Sequence, residues 1–407
     1  MRVAIVEPAG KGGMIHYAWQ LASAMAEAGA EPILVTARDY ELASLPHPFA
    51  VEPLLRLWDP KGEGGAGAAV RRTARRGARA ARYYREWIRL ARFLRRLRPD
   101  VVQLGDIRFA TDLAPIAALR RSGLRLADVC HNVHPFAVSG AAAGTFSASA
   151  LQRRLYRRIY GQFDAVFVHF ERNRAAFEES FGPSDRVRTL VHGNEAIFED
   201  LRSHAIDASS IRSELGIAPA AEVVLLFGTL SRYKGVDLLV DAFAEVKRRV
   251  PGAHLILAGF LVGGLSEEEV RSRARAAGVG DAVTMIPRYI PAEAVAAWMD
   301  LASVVVFPYD AVFQSGAVHV PLTFGRPVVA TDVGAMSEVV RDGVTGLIVP
   351  PRNRDALAAA IATLLEDRER AAAIGRAAAE EQRTRFSWSR PAEVMLETYR
   401  DMIGGRS

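Results

Sequence analysis

The run Phe307 to Val340, FPYDAVFQSGAVHVPLTFGRPVVATDVGAMSEVV, decides the fold. The apolar residues Val304-Val305-Val306-Phe307 read as a buried strand that stops at Pro308. Gln314-Ser315-Gly316 supplies a small, polar turn, a helical segment runs to Gly325, and Pro327-Val328-Val329-Ala330-Thr331 reads as the next strand. Strand, small-residue turn, helix, strand is a βαβ unit, which pairs its strands in parallel through a right-handed crossover. Such a unit points backbone N–H groups at an anion from a helix N-terminus, so a phosphate or diphosphate is expected near Ser315 and Gly316. Taken alone, the stretch fits an ordinary α/β turn equally well.

The rest of the chain repeats the pattern. Val3 to Val6 reads as a strand, Ala9-Gly10-Lys11-Gly12-Gly13 as a glycine-rich turn, and His16 to Ala28 as a helix with Trp19, Leu21, Ala22, Met25 and Ala26 at helical spacing. The turn is neither a Walker loop nor GxGxxG. Further strands are expected at Pro32 to Thr36, Val101 to Leu104, Leu124 to Cys130, Ala165 to His169 and Val187 to Val191. His131-Asn132-Val133-His134-Pro135 therefore follows a strand's carboxyl end, where open α/β sheets bind ligands. Ala137 to Ala150 reads as a mobile loop over that place. Glu195 to Ala221 carries few apolar residues and reads as a boundary. The second half restarts at Val223 to Phe227, turns through Gly228-Thr229-Leu230-Ser231-Arg232-Tyr233-Lys234-Gly235, and continues with strands at His254 to Ala258, Val283 to Ile286 and Leu347 to Val349. The expected organisation is a domain over 1–195, a linker over 196–221 and a second domain over 222–387, with a terminal helix in 388–407 packing back on the first.

At 407 residues the chain exceeds what one core usually serves, which agrees with two domains. Half its residues are hydrophobic and about a quarter charged, an ordinary globular balance. A single cysteine, Cys130, excludes an intramolecular disulfide and fits a reducing compartment. No secretory leader and no membrane-spanning apolar run is read, so a cytoplasmic protein is expected, with peripheral attachment to the inner face of the cytoplasmic membrane as a further expectation.

The formal charge of +6 is unevenly placed: Arg71 to Arg98 holds twelve arginines and one acid, Glu86, so the remainder is net acidic. A loop is read at Lys61 to Ala69, followed by a basic helix whose Tyr83, Tyr84, Trp87, Leu90, Ala91, Leu94 and Leu97 make one apolar stripe. An anionic bilayer surface ranks first as partner, a merely solvated face second and nucleic acid a distant third, because no nucleic-acid module accompanies the run.

In order and spacing the motifs resemble retaining glycosyltransferases of family 4, of GT-B fold, two Rossmann-like α/β domains facing across a cleft. The residues that carry the resemblance are Gly12-Gly13, His131-Asn132, Phe227-Gly228 through Lys234-Gly235, Pro308-Tyr309, Gln314-Ser315-Gly316, Gly325 through Thr331, Gly334 through Glu338, and Phe386-Ser387-Trp388. The resemblance implies that Lys234, with Arg232, neutralises a donor diphosphate, and that His131 stands beside the donor sugar. These three are the candidate catalytic residues. It implies diphosphate or sugar contacts from Gly12, Gly13, Gln314, Ser315, Gly316, Gly228 and Thr229, and places Tyr289 and Ile290 at the nucleobase. Glu338 is a candidate ribose contact, with helix capping or a salt bridge as the competing role. His134, Asn132 and Asn194 are candidates for the acceptor cleft.

The sequence departs from the family pattern in the opening stretch. Many relatives carry two glutamates eight positions apart, the second on the nucleotide ribose, and aligned on Gly325 those positions hold Val312 and Val320. No clustered metal-ligand spacing and no DxD pair appears, so a metal-independent enzyme without a cofactor is expected, taking its nucleotide-diphosphate sugar as substrate. The resemblance implies transfer of a hexose with retention, in polysaccharide or glycoconjugate biosynthesis, onto a glycan or lipid-linked acceptor. A non-catalytic GT-B partner subunit and a sugar-nucleotide epimerase are the alternatives.

Overall fold

The computed structural model describes residues 1–56, 69–105, 107, 109–133 and 150–405, with residues 69–79 described by their backbone. Apart from their helical ends, the loops read at Lys61 to Ala69 and Ala137 to Ala150 lie outside the described residues, as does His134.

Among the described residues the apolar runs pair into two separate sheets. The first contains β1 (Arg2–Glu7), β2 (Glu31–Ala37), β3 (Ala50–Leu55), β4 (Val101–Leu104), β5 (Leu126–Cys130), β6 (Ala165–His169) and β7 (Val187–Leu190), in the order β3-β2-β1-β4-β5-β6-β7. The second contains β8 (Glu222–Phe227), β9 (Ala253–Ala258), β10 (Val283–Ile286), β11 (Val304–Phe307), β12 (Val328–Thr331) and β13 (Leu347–Val349), in the order β10-β9-β8-β11-β12-β13. Every pairing is parallel. Central strands such as β4 and β11 are buried along their whole length, which is why they read as unbroken apolar runs and not as alternating ones. Two Rossmann-like α/β units of this kind are the architecture that the GT-B resemblance implied.

β3 escaped the sequence reading for a physical reason. Its Ala-Val-Glu-Pro-Leu-Leu run contains Pro53, and proline, having no N–H to give a ladder, is tolerated at a sheet edge. β3 is the edge strand, and only its last residue is buried.

The carboxyl ends of both sheets face one cleft. The strand order reverses beside β1 in the first sheet and between β8 and β11 in the second, so the Gly12-Gly13 and Gly228-Thr229 turns and the Gln314-to-Gly316 turn all leave topological switch points. The stretch 196–221 is no loose tether. It forms helices at Ile197–Asp200 and Ala208–Glu214, and Ile197, Phe198, Ile211 and Ile217 are buried. The terminal helix Ser389–Gly404 lies on the first unit: the Tyr399 hydroxyl donates to Gln103 Oε1 at 2.8 Å, and Arg125 Nε donates to the Met402 carbonyl at 3.0 Å.

The arginine-rich helix, Ala69–Leu97, spends its apolar stripe on the fold. Leu90 and Leu94 are buried in the first unit's core, with Trp87, Ala91 and Leu97 packed against it, and the Tyr83 hydroxyl donates to Asp112 at 2.8 Å. The stripe is thus not free to enter a bilayer; Arg82, Arg85, Arg92, Arg95 and Arg96 remain exposed.

Candidate active site

A cavity of about 450 Å³ lies between the two units, within the range of roughly 300–1,000 Å³ usual for small-ligand sites. The first unit contributes Gly12, Gly13, His131 and Asn132, and the second Gly228, Thr229, Tyr289, Ile290, Gln314 and Gly316. Residues as far apart in sequence as Gly12 and Gly316 are therefore brought to one wall. Close backbone approach shapes the second half of it. Gly259 lies at φ 141°, and a side chain there would overlap the Gly228 carbonyl.

Lys234 stands beside the Gly228 turn, its Nζ 5.3 Å from the centre of the Tyr309 ring. Burial holds its pKa below the usual lysine range, and among the described residues no carboxylate pairs with it. Arg232 does not join it. Both sit in a three-residue 3₁₀ turn, Arg232–Lys234, whose tight winding sends them in different directions. Arg232 points outward to Asp237 at 3.1 Å and Glu269 at 2.7 Å, and does not line the cavity. Arg232 thus belongs to a surface ion-pair network in this structure.

Gln314 reaches across the cleft, its Nε2 3.5 Å from His131 Nδ1, while its Oε1 is buried without a hydrogen-bond partner among the described residues. Ser315 begins the 3₁₀ turn Gly316–Val318 and does not itself line the cavity. Gly316 sits above His192, where a Cβ would come within 3.1 Å of the imidazole Nε2.

Half-buried His131 and the buried His169, His192 and His319 form a chain of rings. His131 to His169 is 5.3 Å between centroids, His169 to His192 is 5.3 Å, and His192 to His319 is 4.7 Å, with Tyr17 edge-on to the first three. Burial lowers every imidazole of the chain, bringing His131 down to about 3 and His192 to about 4; His192 adds to the lowering of His131, His169 and His319. All four are neutral at pH 7. The sequence places His131, His169 and His192 at or just past the ends of β5, β6 and β7, but only adjacent, parallel strands bring those ends together. Among the described residues no three His, Cys, Asp or Glu side chains are grouped as a metal ion would need.

Two other expected site residues have structural work. Glu338 accepts from the backbone N–H groups of Glu171 and Arg172 at 3.1 and 3.0 Å, capping the first unit's Glu171–Phe181 helix from across the cleft. Asn194 is a splice for the returning chain: its Nδ2 donates to the Gln382 carbonyl at 3.1 Å and its own carbonyl accepts from Trp388 Nε1 at 2.8 Å. Neither lines the cavity.

The sequence reading passed over Glu41 and Glu195. Glu41 Oε1 accepts from the Gly12 N–H at 2.6 Å and lies 2.8 Å from His16 Nε2, while its Oε2 accepts from the Tyr289 hydroxyl at 2.7 Å. Burial alone would raise the Glu41 carboxyl, but His16, Gly12 and Tyr289 together hold it below the usual range. Glu195 is a buried carboxyl on the cavity wall itself. Nothing in its local sequence, at the start of an apolar-poor stretch, marks it.

Residues 12–193 match the family model of a glycosyl transferase 4-like domain, and residues 207–381 that of glycosyl transferases group 1. A GDP-mannose-dependent alpha-(1-6)-phosphatidylinositol monomannoside mannosyltransferase of Mycolicibacterium smegmatis is 32% identical over 274 residues, 64% of this chain and 68% of that protein. The chain belongs to the group 1 glycosyl transferases. A D-inositol 3-phosphate glycosyltransferase of Nocardia farcinica is 36% identical over 251 residues, 60% of this chain and 54% of that one. The matched region thus spans about half the length of the inositol-phosphate relatives. In fold this group 1 glycosyl transferase is similar to sucrose-phosphate synthase from Thermosynechococcus elongatus, with a TM-score of 0.73 at 21% identity covering 99% of each chain. It is also similar to Anabaena HepE in complex with UDP-glucose, with a TM-score of 0.72 at 19% identity covering 98% of this chain and all of that one.

Proposed function

We propose that this group 1 glycosyl transferase moves a hexose from a nucleotide-diphosphate sugar to an acceptor hydroxyl with retention at the anomeric carbon. The observation that carries the reading is the cavity between the units, where the Gly228-Thr229 turn, Lys234 behind it, and the Gln314-to-Gly316 turn converge opposite His131. A leaving diphosphate gains charge as the sugar bond breaks, and a fixed cation with backbone amides in a site shielded from water stabilises it. A UDP-glucose complex of a protein of this fold and a GDP-mannose-dependent relative support a nucleotide-sugar donor.

Retention is read as a same-face displacement. The acceptor hydroxyl attacks on the face that the diphosphate leaves, and the departing phosphate oxygen takes its proton. Neutral His131, with Gln314 beside it, orients the sugar and needs no charge to do so.

The acceptor is lipid-linked or lies near a membrane, and the protein works at the cytoplasmic face. Exposed arginines of Ala69–Leu97 and of the helix Ala150–Tyr160, among them Arg153, Arg154 and Arg158, occur on the first unit with exposed Ile88, Phe109 and Leu151, and both helices pack on the Leu113–Arg121 helix. Such a face suits anionic headgroups through its cations, with a few apolar side chains as anchors. Among the described residues no helix is long and apolar enough to cross a membrane. Calorimetry with a panel of nucleotide sugars tests the donor reading: one donor or more binds in the micromolar to millimolar range, and a chain that binds none is not this transferase.

A further inference from the structure

Glu195 is the one carboxyl among the described residues that line the cavity, whose lining also includes the apolar Phe198, Val295, Ala317 and Val320 and the imidazole of His192. The group is 4% exposed and is set in place from three directions. Gln20 Nε2 donates to its Oε2 at 3.3 Å, and Gln20 is itself fixed by the Ile197 N–H, which donates to its Oε1 at 3.2 Å. The Glu195 backbone N–H donates at 3.1 Å to Thr323 Oγ1, on the His319–Thr323 helix of the second unit. Its other oxygen, Oε1, faces Gly316, where a Cβ would lie 3.9 Å away. Burial pushes the carboxyl up to about 8 against the weaker pull of Gln20, so it is mostly a neutral acid at pH 7.

Gln20 serves one oxygen of this buried carboxyl, and a ligand donor at the other would offset more of the cost of burying it. Hydroxyl donors favour the ionised form, which accepts from two neighbouring hydroxyls, and a nucleotide sugar brings one such pair on its ribose and two on its hexose, at O2/O3 and O3/O4. We propose that Glu195 recognises a vicinal diol of the donor, and so discriminates donors by their hydroxyls. This inference rests on the nucleotide-sugar reading. The acid stands where the turn that holds Gly316 meets the helix bearing Val320, a side chain that offers no acceptor of its own.

The test is a ligand-by-variant cycle in calorimetry on the full chain. UDP and GDP are compared with their 2′,3′-dideoxy forms, and UDP-glucose and GDP-mannose with their 3-deoxy-hexose forms, which break both vicinal pairs, on wild type, Glu195→Gln and Glu195→Ala, each checked by thermal melting. Wild type is expected to lose about tenfold to hundredfold in affinity when the recognised hydroxyls are removed, and Glu195→Ala to show a ratio near one for that same pair. Collapse of the dideoxy ratio assigns the ribose, and collapse of the deoxyhexose ratio assigns the sugar. If wild type binds the hydroxyl-free ligands as tightly as the intact ones, the inference is overturned without recourse to any variant. If Glu195→Ala keeps both ratios, Glu195 is a structural pin between the units and the inference fails while the donor reading stands. A wild type that binds none of these nucleotides overturns the donor reading and the inference with it.

Discussion

The Tyr289 hydroxyl donates a 2.7 Å hydrogen bond to Glu41 Oε2 across the mouth of the cleft, joining the loop after β10 to the segment after β2. Arg172 makes a second clasp, 3.0 Å from Asp332 and donating to the Gly334 carbonyl at 2.8 Å, beside the Glu338 cap. The two units are therefore held closed by a few polar contacts near the donor cavity. Tyr289→Phe keeps the ring and removes one hydrogen bond, worth about 0.5–1.5 kcal/mol. The variant is expected to be more open, with a larger radius of gyration in small-angle scattering and donor affinity lowered about threefold to tenfold. An unchanged radius would show that the clasp does not set the closure.

Lys234→Ala is expected to lower kcat by about 10²–10³-fold with little change in melting temperature, because the ammonium stabilises charge on the leaving diphosphate and supports no ion pair in the fold. Arg232→Ala, which breaks only exposed pairs with Asp237 and Glu269, is expected to leave kcat within about twofold. Steady-state kinetics of the two variants side by side checks this division. Loss of turnover in Arg232→Ala equal to that in Lys234→Ala would contradict it.

The histidine chain predicts a pH dependence of stability. An imidazole whose folded pKa is depressed binds its proton in the unfolded chain first, so stability is full above about 6.5 and declines as pH falls toward about 4. Each such histidine contributes a slope of up to about 1.4 kcal/mol per pH unit in that window. Glu195 has the opposite sign: its folded pKa is raised to about 8, so its contribution is full below about 4.5 and is lost as pH rises through about 8. Urea denaturation across pH is expected to show wild type losing stability on the acid side. Glu195→Gln is expected to gain on wild type between pH 5 and 8, with the difference vanishing near pH 4.

Gly259→Ala sets a side chain at φ 141° against the Gly228 carbonyl. Strain and overpacking together are expected to cost about 1–3 kcal/mol and to displace the Gly228-Thr229 turn. A lowered denaturation midpoint together with weakened nucleotide binding checks this; an unaltered affinity would show that the turn does not touch the donor.

Liposome flotation addresses the basic face. Reversing Arg92, Arg95 and Arg96, all exposed, to glutamate removes attraction of about 1 kcal/mol per residue. Binding to vesicles containing phosphatidylserine is expected to fall and to weaken with added salt in wild type, while vesicles of phosphatidylcholine alone are not bound. Binding that is indifferent to charge reversal would exclude this face.

Much of the fold was legible because buried parallel strands write themselves as unbroken valine and leucine runs, as at Val304 to Phe307 and Val223 to Phe227. The strand Ala50–Leu55 was not, since an exposed edge with Pro53 carries no such signal. At the site, turns after strands were readable, and the Gly228-Thr229 and Gln314-to-Gly316 turns do converge. Side-chain direction was not readable: Arg232 and Lys234 are two residues apart, yet Arg232 pairs with surface carboxylates while Lys234 turns in beside the Tyr309 ring and the Gly228 turn. Nor was long-range company, because Glu195 gains its meaning from Gln20 and Gly316, which only the fold brings to it.

The central claim is sugar transfer from a nucleotide sugar with retention. Its most direct test is proton NMR of the turnover mixture, following the anomeric coupling of the product in its first minutes with an α-linked donor and a lipid-linked glycan acceptor. The account predicts an α-linked product and release of nucleoside diphosphate. A β-linked product, or release of a free epimerised sugar, would contradict it.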